Sequence, residues 1–328
     1  MTKTMNYFMA AALVTVGLAC KKNSPAPAAE EKTNYAEMRI SGATVLGAPV
    51  AEAKIYKLIP GYDHTDDFEA SGVYYLNGYF YIVFDNRFKI GKIKSTLPEN
   101  SSQNTLLSSG SGSSDFEGIS YDDNNTVNFF VVQEAEKNGS AYQPEIREYD
   151  ANMNYQNSKW ADYYFTSDNS NKGFEGIAWT FRNGQDYLLG LVEGTGVIAV
   201  LQKTSSNWTK VAEIALPSSV TFDDYSDITL HGNTVAITSQ EDSQLWIGTL
   251  SSTSWQITGG TAYEFPKGSS AGVVGAGSNV LYGNIEGISF ISPTQIVVVS
   301  DKAKSDQPSY QTYKDQSVHI FNLPTAAY

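Results

Sequence analysis

Cysteine is almost missing from this chain of 328 residues: Cys20 is the only one, so no intrachain disulfide can form and stability must come from a packed core. Histidine is nearly as scarce. His64, His231 and His319 stand in no paired spacing, which leaves a zinc centre without its usual nitrogen and sulfur ligands. Positive charge is short as well, with 22 lysines and arginines against 35 aspartates and glutamates and a formal net charge of −13. Without a basic run, the counterion release that drives nucleic-acid binding has no source, and a large polyphosphate is disfavoured unless a metal bridges it. Helical periodicity is also almost absent from about residue 35 onward. What remains is 41% hydrophobic and 12% aromatic, with 21 tyrosines, too apolar a balance for a disordered chain.

The longest apolar run, Tyr7 to Ala19, follows a single lysine and is too short to span a bilayer as a folded helix. It predicts a signal peptide over residues 1–19. Gly17, Leu18, Ala19 and Cys20 resemble the lipobox of bacterial lipoproteins, in which the cysteine becomes the lipidated first residue, although Gly17 stands where a large aliphatic residue is preferred. Residues 20–34 then form a polar, Pro/Ala-rich tether to a domain covering 35–328. Lys21 stands where some bacteria place an inner-membrane retention aspartate, so that resemblance implies a cell-envelope protein anchored at the outer membrane.

Beyond the tether, short runs of Val, Ile, Tyr and Phe alternate with Gly, Asn, Asp and Ser clusters, the pattern of many short strands. A repeat organises them: Ser71-Gly-Val, Glu117-Gly-Ile, Glu175-Gly-Ile, Ser226-Asp-Ile and Glu286-Gly-Ile, at spacings of 46, 58, 51 and 60 residues. Units of that size built only from strands predict an all-β propeller of five blades. Turn residues such as Leu76-Asn-Gly and Arg182-Asn-Gly follow each first strand. Each second strand is continuously apolar, as burial between neighbouring blades requires, and runs into an acid: Asp85, Glu134, Glu193, Glu241 and Asp301. Further strands are read at VIAVLQK and WTKVAEIAL in the third unit and at QLWIGTL and SWQITGG in the fourth. The last unit has only SVHIFNL left, so its outer strand is expected from the N-terminal AKIYKLIP, closing the ring with strands from both ends. A sixth blade arises if residues 35–50 pair as part of another.

The FEGI and EGIAW cores, each followed by a hydrophobic strand ending in Glu, resemble the SdiA-regulated, YjiK-like propeller proteins and, more loosely, phytase-like and esterase-like propellers. That resemblance implies a divalent cation, calcium, near the propeller axis and no defined reaction. Ser71 and Ser226 replace the acid in two units, which leaves a ring of carboxylates incomplete.

Because first strands line a propeller's channel, Glu117, Glu175 and Glu286 are expected to converge at the axis, with Glu134 and Glu193 as further candidate metal ligands. Asp227 is a weaker candidate ligand: it lies one position later, so period-2 alternation turns it to the opposite face unless a bulge intervenes. Carboxylates about 8 Å apart repel by roughly 2 kcal/mol per pair at an effective dielectric near 20, and a hard cation with oxygen ligands relieves this. The bland alternative is that the glutamates cap the channel mouth, hydrogen-bonded to amides and water. Trp160, Trp179, Trp208, Trp246 and Trp255 are expected mainly in the core or at blade edges rather than on a sugar-stacking platform. Binding or scaffolding at the cell envelope, by a monomer taking a small molecule or protein at its axial pocket, is the function so implied. The alternative is a calcium-dependent hydrolase of phosphoesters or lactones.

Overall fold

Each repeat folds as one antiparallel sheet whose innermost strand begins at the repeated motif. The computed structural model describes residues 43–108, 110, 114–124, 128–165 and 173–324, so the signal segment, Cys20 and the tether lie outside the described residues. The chain divides into two units, and the described residues all fall in the second, Ile40–Tyr328.

Blade one runs from its inner strand Ala70–Leu76 through Tyr79–Phe84 and Lys89–Lys94 to Thr105–Ser108. Blade two comprises Phe116–Asp122, Asn128–Asn138, Ala141–Asp150 and Tyr155–Trp160, and blade three Phe174–Arg182, Gln185–Val192, Ile198–Lys203 and Trp208–Ile214. In blade four, Asp227–His231, Thr234–Ser239, Gln244–Leu250 and Ile257–Glu264 succeed one another. Blade five takes Ile285–Ser292, Gln295–Ser300 and Ser317–Asn322 from the C-terminal end and completes itself with Ala51–Lys54 from the N-terminal end. Five blades are therefore present, closed by strands from both ends.

The closing strand is shorter than AKIYKLIP suggests. Pairing stops at Lys54, opposite Ser317, and Ile55–Leu58 turns into a single helical turn that buries Ile55 and Leu58 on one side. Among the described residues no sixth blade is built: Thr44–Val45 instead adds to blade four as a short parallel fifth strand, opposite Tyr263 and Glu264. The last strand of blade four likewise starts at Ile257, later than SWQITGG implies, because Trp255 leaves the strand direction to pack edge-on against Tyr187 of blade three. The hairpins after the inner strands hold Asn77 and Gly78, and Asn183 and Gly184, at positive φ, the geometry that matches the twist of the flanking strands.

Five hydrophobic clusters fill the five gaps between blades. In each second strand, alternate residues serve opposite gaps: Val297 and Val299 pack towards blade one beside Phe68 and Phe84, whereas Ile296 and Val298 pack towards blade four beside Leu245 and Phe265. Val131 and Val132 divide in the same way between Phe116 on one side and Phe174 on the other. This double burial is why those strands read as uninterrupted apolar runs.

At the centre the inner strands approach one another too closely for side chains. A Cβ placed on Gly118 would lie 3.0 Å from the Cα of Gly176, and one on Gly287 would lie 2.8 Å from the Cα of Gly72, so the glycine of the motif is a packing requirement. Blade four has Asp227 at that position. Its carboxylate accepts hydrogen bonds from the amides of Ile228 at 2.7 Å and Ile288 at 2.8 Å, the second a bridge to blade five.

Candidate metal centre

A β-bulge sits at the motif in four blades. Pairing skips from Phe116 to Gly118, from Phe174 to Gly176, from Ile285 to Gly287 and from Ala70 to Gly72, leaving Glu117, Glu175, Glu286 and Ser71 as the extra residue. A bulge re-aims the side chain it carries. The consequence is convergence of three remote acids: one carboxylate oxygen each from Glu117, Glu175 and Glu286 lies within 4.8 Å of the others, and all three side chains are half-buried. In blade one the Ser71 hydroxyl donates to the Phe116 carbonyl of the next inner strand rather than contributing a carboxylate.

These three glutamates line a cavity of about 650 Å³ at the motif end of the channel. Asp85, Glu193 and Asp301, each just past the end of a second strand, line it too, as does Glu134, at the bulge between Gln133 and Ala135 within the longer second strand of blade two, whereas the fourth blade contributes Gln240 there in place of the expected Glu241. Two lining acids, Glu69 and Asp224, have no counterpart among the sequence candidates.

 The first is Glu69, two residues ahead of Ser71, and Asp224 stands likewise two residues ahead of Ser226. Where the motif residue is serine, an acid just ahead of the inner strand lines the cavity instead. The ring expected to be incomplete is thus served by every blade, with nine carboxylates in the cavity lining against the amines of Lys302 and Lys304.

Burial pushes the carboxyls of Glu117, Glu175 and Glu286 well above the usual carboxylate range, and the neighbouring charges of Glu134, Glu117 and Asp301, respectively, add to it. Glu134 is pushed up to about 7 by burial, against the opposing hydrogen bond from the Gly173 amide. Asp301 rises to about 7, again through burial, and Asp85 to about 8 through burial followed by its hydrogen bond and repulsion with Glu69. Two contacts fix the lining: the Gln240 side-chain amide donates to Glu286 at 2.5 Å, and the amides of Gln240 and Glu241 donate to Asp224.

Asp227 does not line this cavity; its two oxygens are engaged by the amides of Ile228 and Ile288. Neither His64, His231 nor His319 lines it either, so the donor set is all oxygen, suited to a hard cation and not to zinc. His319 is instead buried in the outer part of blade five. There Ser300, His319 and Glu52 stand in the order of a catalytic triad, with Ser300 Oγ 3.1 Å from Nε2 and Glu52 3.0 Å from Nδ1. Nε2 also faces the Lys314 carbonyl at 3.0 Å, and Ser300 is only 1% exposed, so no substrate reaches it. Gly268–Gly272 spells G-x-S-x-G but lies in a loop without the strand-to-helix turn of a nucleophile elbow.

The fold and site define a five-bladed β-propeller with an acidic axial pocket. Residues 101–246 match the model of the SdiA-regulated family, the one its Glu-Gly-Ile motifs resemble. No curated protein matches the chain. Among solved structures it is similar to the glutaminyl cyclase of Myxococcus xanthus, at 10% identity and a TM-score of 0.48, over 84% of this chain and 97% of that one. It is also similar to a GH43_1 enzyme from Xanthomonas citri, at 10% identity and a TM-score of 0.47, over 86% and 93% of the two chains.

Proposed function

We propose that this is a cell-envelope propeller, anchored through Cys20, whose axial pocket binds a divalent cation, calcium foremost, through Glu117, Glu175 and Glu286. The observation that carries the proposal is the 4.8 Å limit on the separation of the three carboxylate oxygens. Calcium binds oxygen at about 2.3–2.6 Å, so two oxygens sharing one ion stand no more than about 5 Å apart, a condition this triad meets. Ionised together, they repel by roughly 3 kcal/mol per pair at an effective dielectric near 20, which a cation reverses. Glu134 and Glu193 belong to the surrounding lining and favour cation entry through their field. A bound ion supplies a positive centre for an oxygen-bearing ligand, and Gln240 orients Glu286 towards it.

Hydrolysis of phosphoesters is the weaker alternative. Lys302 and Lys304 favour it, but Lys302 already pairs with Asp67 at 2.7 Å and the surrounding carboxylates repel an anionic substrate. Calorimetric titration of the purified protein with calcium, beside the Glu117→Gln/Glu175→Gln variant, tests the assignment. Saturable heat lost in the variant is expected; identical melting temperatures with and without calcium would end the metal hypothesis. Anchoring is checked separately: Cys20→Ala is expected to move the protein from the membrane fraction to the soluble one.

A further inference from the structure

The inner strands carry a second cavity, at the end of the channel away from the acids. Three to six residues past the motif, their side chains and the hairpins that follow enclose about 530 Å³, a volume within the ordinary range of small-ligand sites. Its chemistry differs from that of the acidic pocket. Asp123 and Arg182 balance in charge, and aromatic rings from three blades, Tyr74, Tyr121, Trp179 and Phe181, share the lining with neutral polar groups such as Asn233.

Trp179 and Phe181 form its most defined part. They lie two residues apart on one face of the same strand, their rings stacked at 22° with centroids 6.5 Å apart. The indole is held in place: Nε1 donates to Asp186 at 3.2 Å, and the backbone amide donates to Ser120 Oγ of the neighbouring blade at 2.8 Å. Trp208 and Trp246, by comparison, are fully buried in the gaps between blades. Phe181 is 42% exposed, so folding gains little from it, while its position against an ordered indole gives a flat apolar surface beside polar groups.

We propose that this cavity binds a neutral saccharide, one pyranose face lying on the Trp179–Phe181 surface and the ring hydroxyls meeting the polar lining. A pyranose offers both an apolar C–H face and an edge of hydroxyls. A wholly apolar ligand would strip water from Asp123, Arg182 and Asn233 without replacing their hydrogen bonds, and an anion or cation would find no net charge to balance it.

Saturation-transfer NMR and calorimetry on the full chain test this with four probes: cellotriose, maltotriose, mannotriose and N,N′-diacetylchitobiose. Saturable binding of at least one is expected, weakened at least tenfold by Phe181→Ser and by Trp179→Ala, equivalent to about 1.4 kcal/mol or more. Phe181→Ser, at an exposed position, keeps the melting temperature and so separates binding from folding. The Glu117→Gln/Glu175→Gln variant, altered only at the other end, should bind the sugar as well as the parent protein. Silence from all four probes at about 1 mM refutes the proposal, as does undiminished binding in Phe181→Ser or loss of binding in the double glutamine variant. Binding of a hydrophobic dye at this site with no sugar response refutes it equally.

Discussion

The carboxylate of Glu52, in the N-terminal strand that completes blade five, accepts a hydrogen bond from Nδ1 of His319 at 3.0 Å, across 267 positions of sequence. Lys314 pairs with the same carboxylate, and the Tyr282 hydroxyl donates to it at 3.3 Å. Burial alone would raise the Glu52 pKa, but the bonds and charges of His319 and Lys314 prevail and lower it to about 2. A carboxyl depressed on folding stabilises the native state above its unfolded value, and that contribution disappears as pH falls through the folded one. Glu52→Gln is therefore expected to cost about 2 kcal/mol at pH 7, allowing for partial solvent screening. Urea denaturation should show the gap between the two proteins narrowing from pH 5 to pH 2.

The axial acids predict the opposite slope. Glu134 and Asp301, raised to about 7, and Asp85, raised to about 8, hold protons in the native state that the unfolded chain has already released above the ordinary carboxylate range. Stability without metal should therefore fall as pH rises from 5 to 8. Calcium should oppose the fall. Melting curves with a chelator and with calcium, taken across that interval, should diverge towards alkaline pH; parallel curves would show that the acids do not govern the response.

Asp227 is a structural carboxylate in the ring of inner strands. Asp227→Ala removes the acceptor for the Ile228 and Ile288 amides, at a cost of about 1–3 kcal/mol for each buried donor left unsatisfied. Asp227→Asn keeps an acceptor oxygen and should lose less. Chemical denaturation of the two variants distinguishes them, and equal losses would contradict the bridging role.

Gly287→Ala sets a methyl group against the backbone of Gly72, where no side-chain rotation relieves the contact. Overpacking of this kind costs typically about 1–3 kcal/mol. The expected result is a lower melting temperature with unchanged strand content by circular dichroism, whereas Gly78→Ala, whose Cβ meets no neighbouring atom, suffers only the strain of its positive φ.

The blade count and the glutamate triad were legible because they rest on local rules repeated along the chain. Double burial makes second strands apolar at nearly every position, and three of the four bulges spell Glu-Gly-Ile in the same register. Glu69 and Asp224 escaped notice because the acid moves two residues ahead when the motif residue is serine, a substitution visible only once the strands are seen around one channel. Asp224 and Gln240 replace the expected Glu241 for a related reason: the apolar run fixes where the strand ends, but not which of the two following residues turns inward. The aromatic cavity was hidden further still. Trp179 and Phe181 are a local pair, but Tyr74 and Tyr121 join them from two other blades.

Closure through Ala51–Lys54 also imposes an order of events. During synthesis that strand emerges early and must wait for Ser317–Asn322 before its backbone amides and carbonyls find their permanent partners. Until then both flanks of the array stay open, and a truncated product lacking the last dozen residues would expose the same unsatisfied edge for recognition by proteases or chaperones.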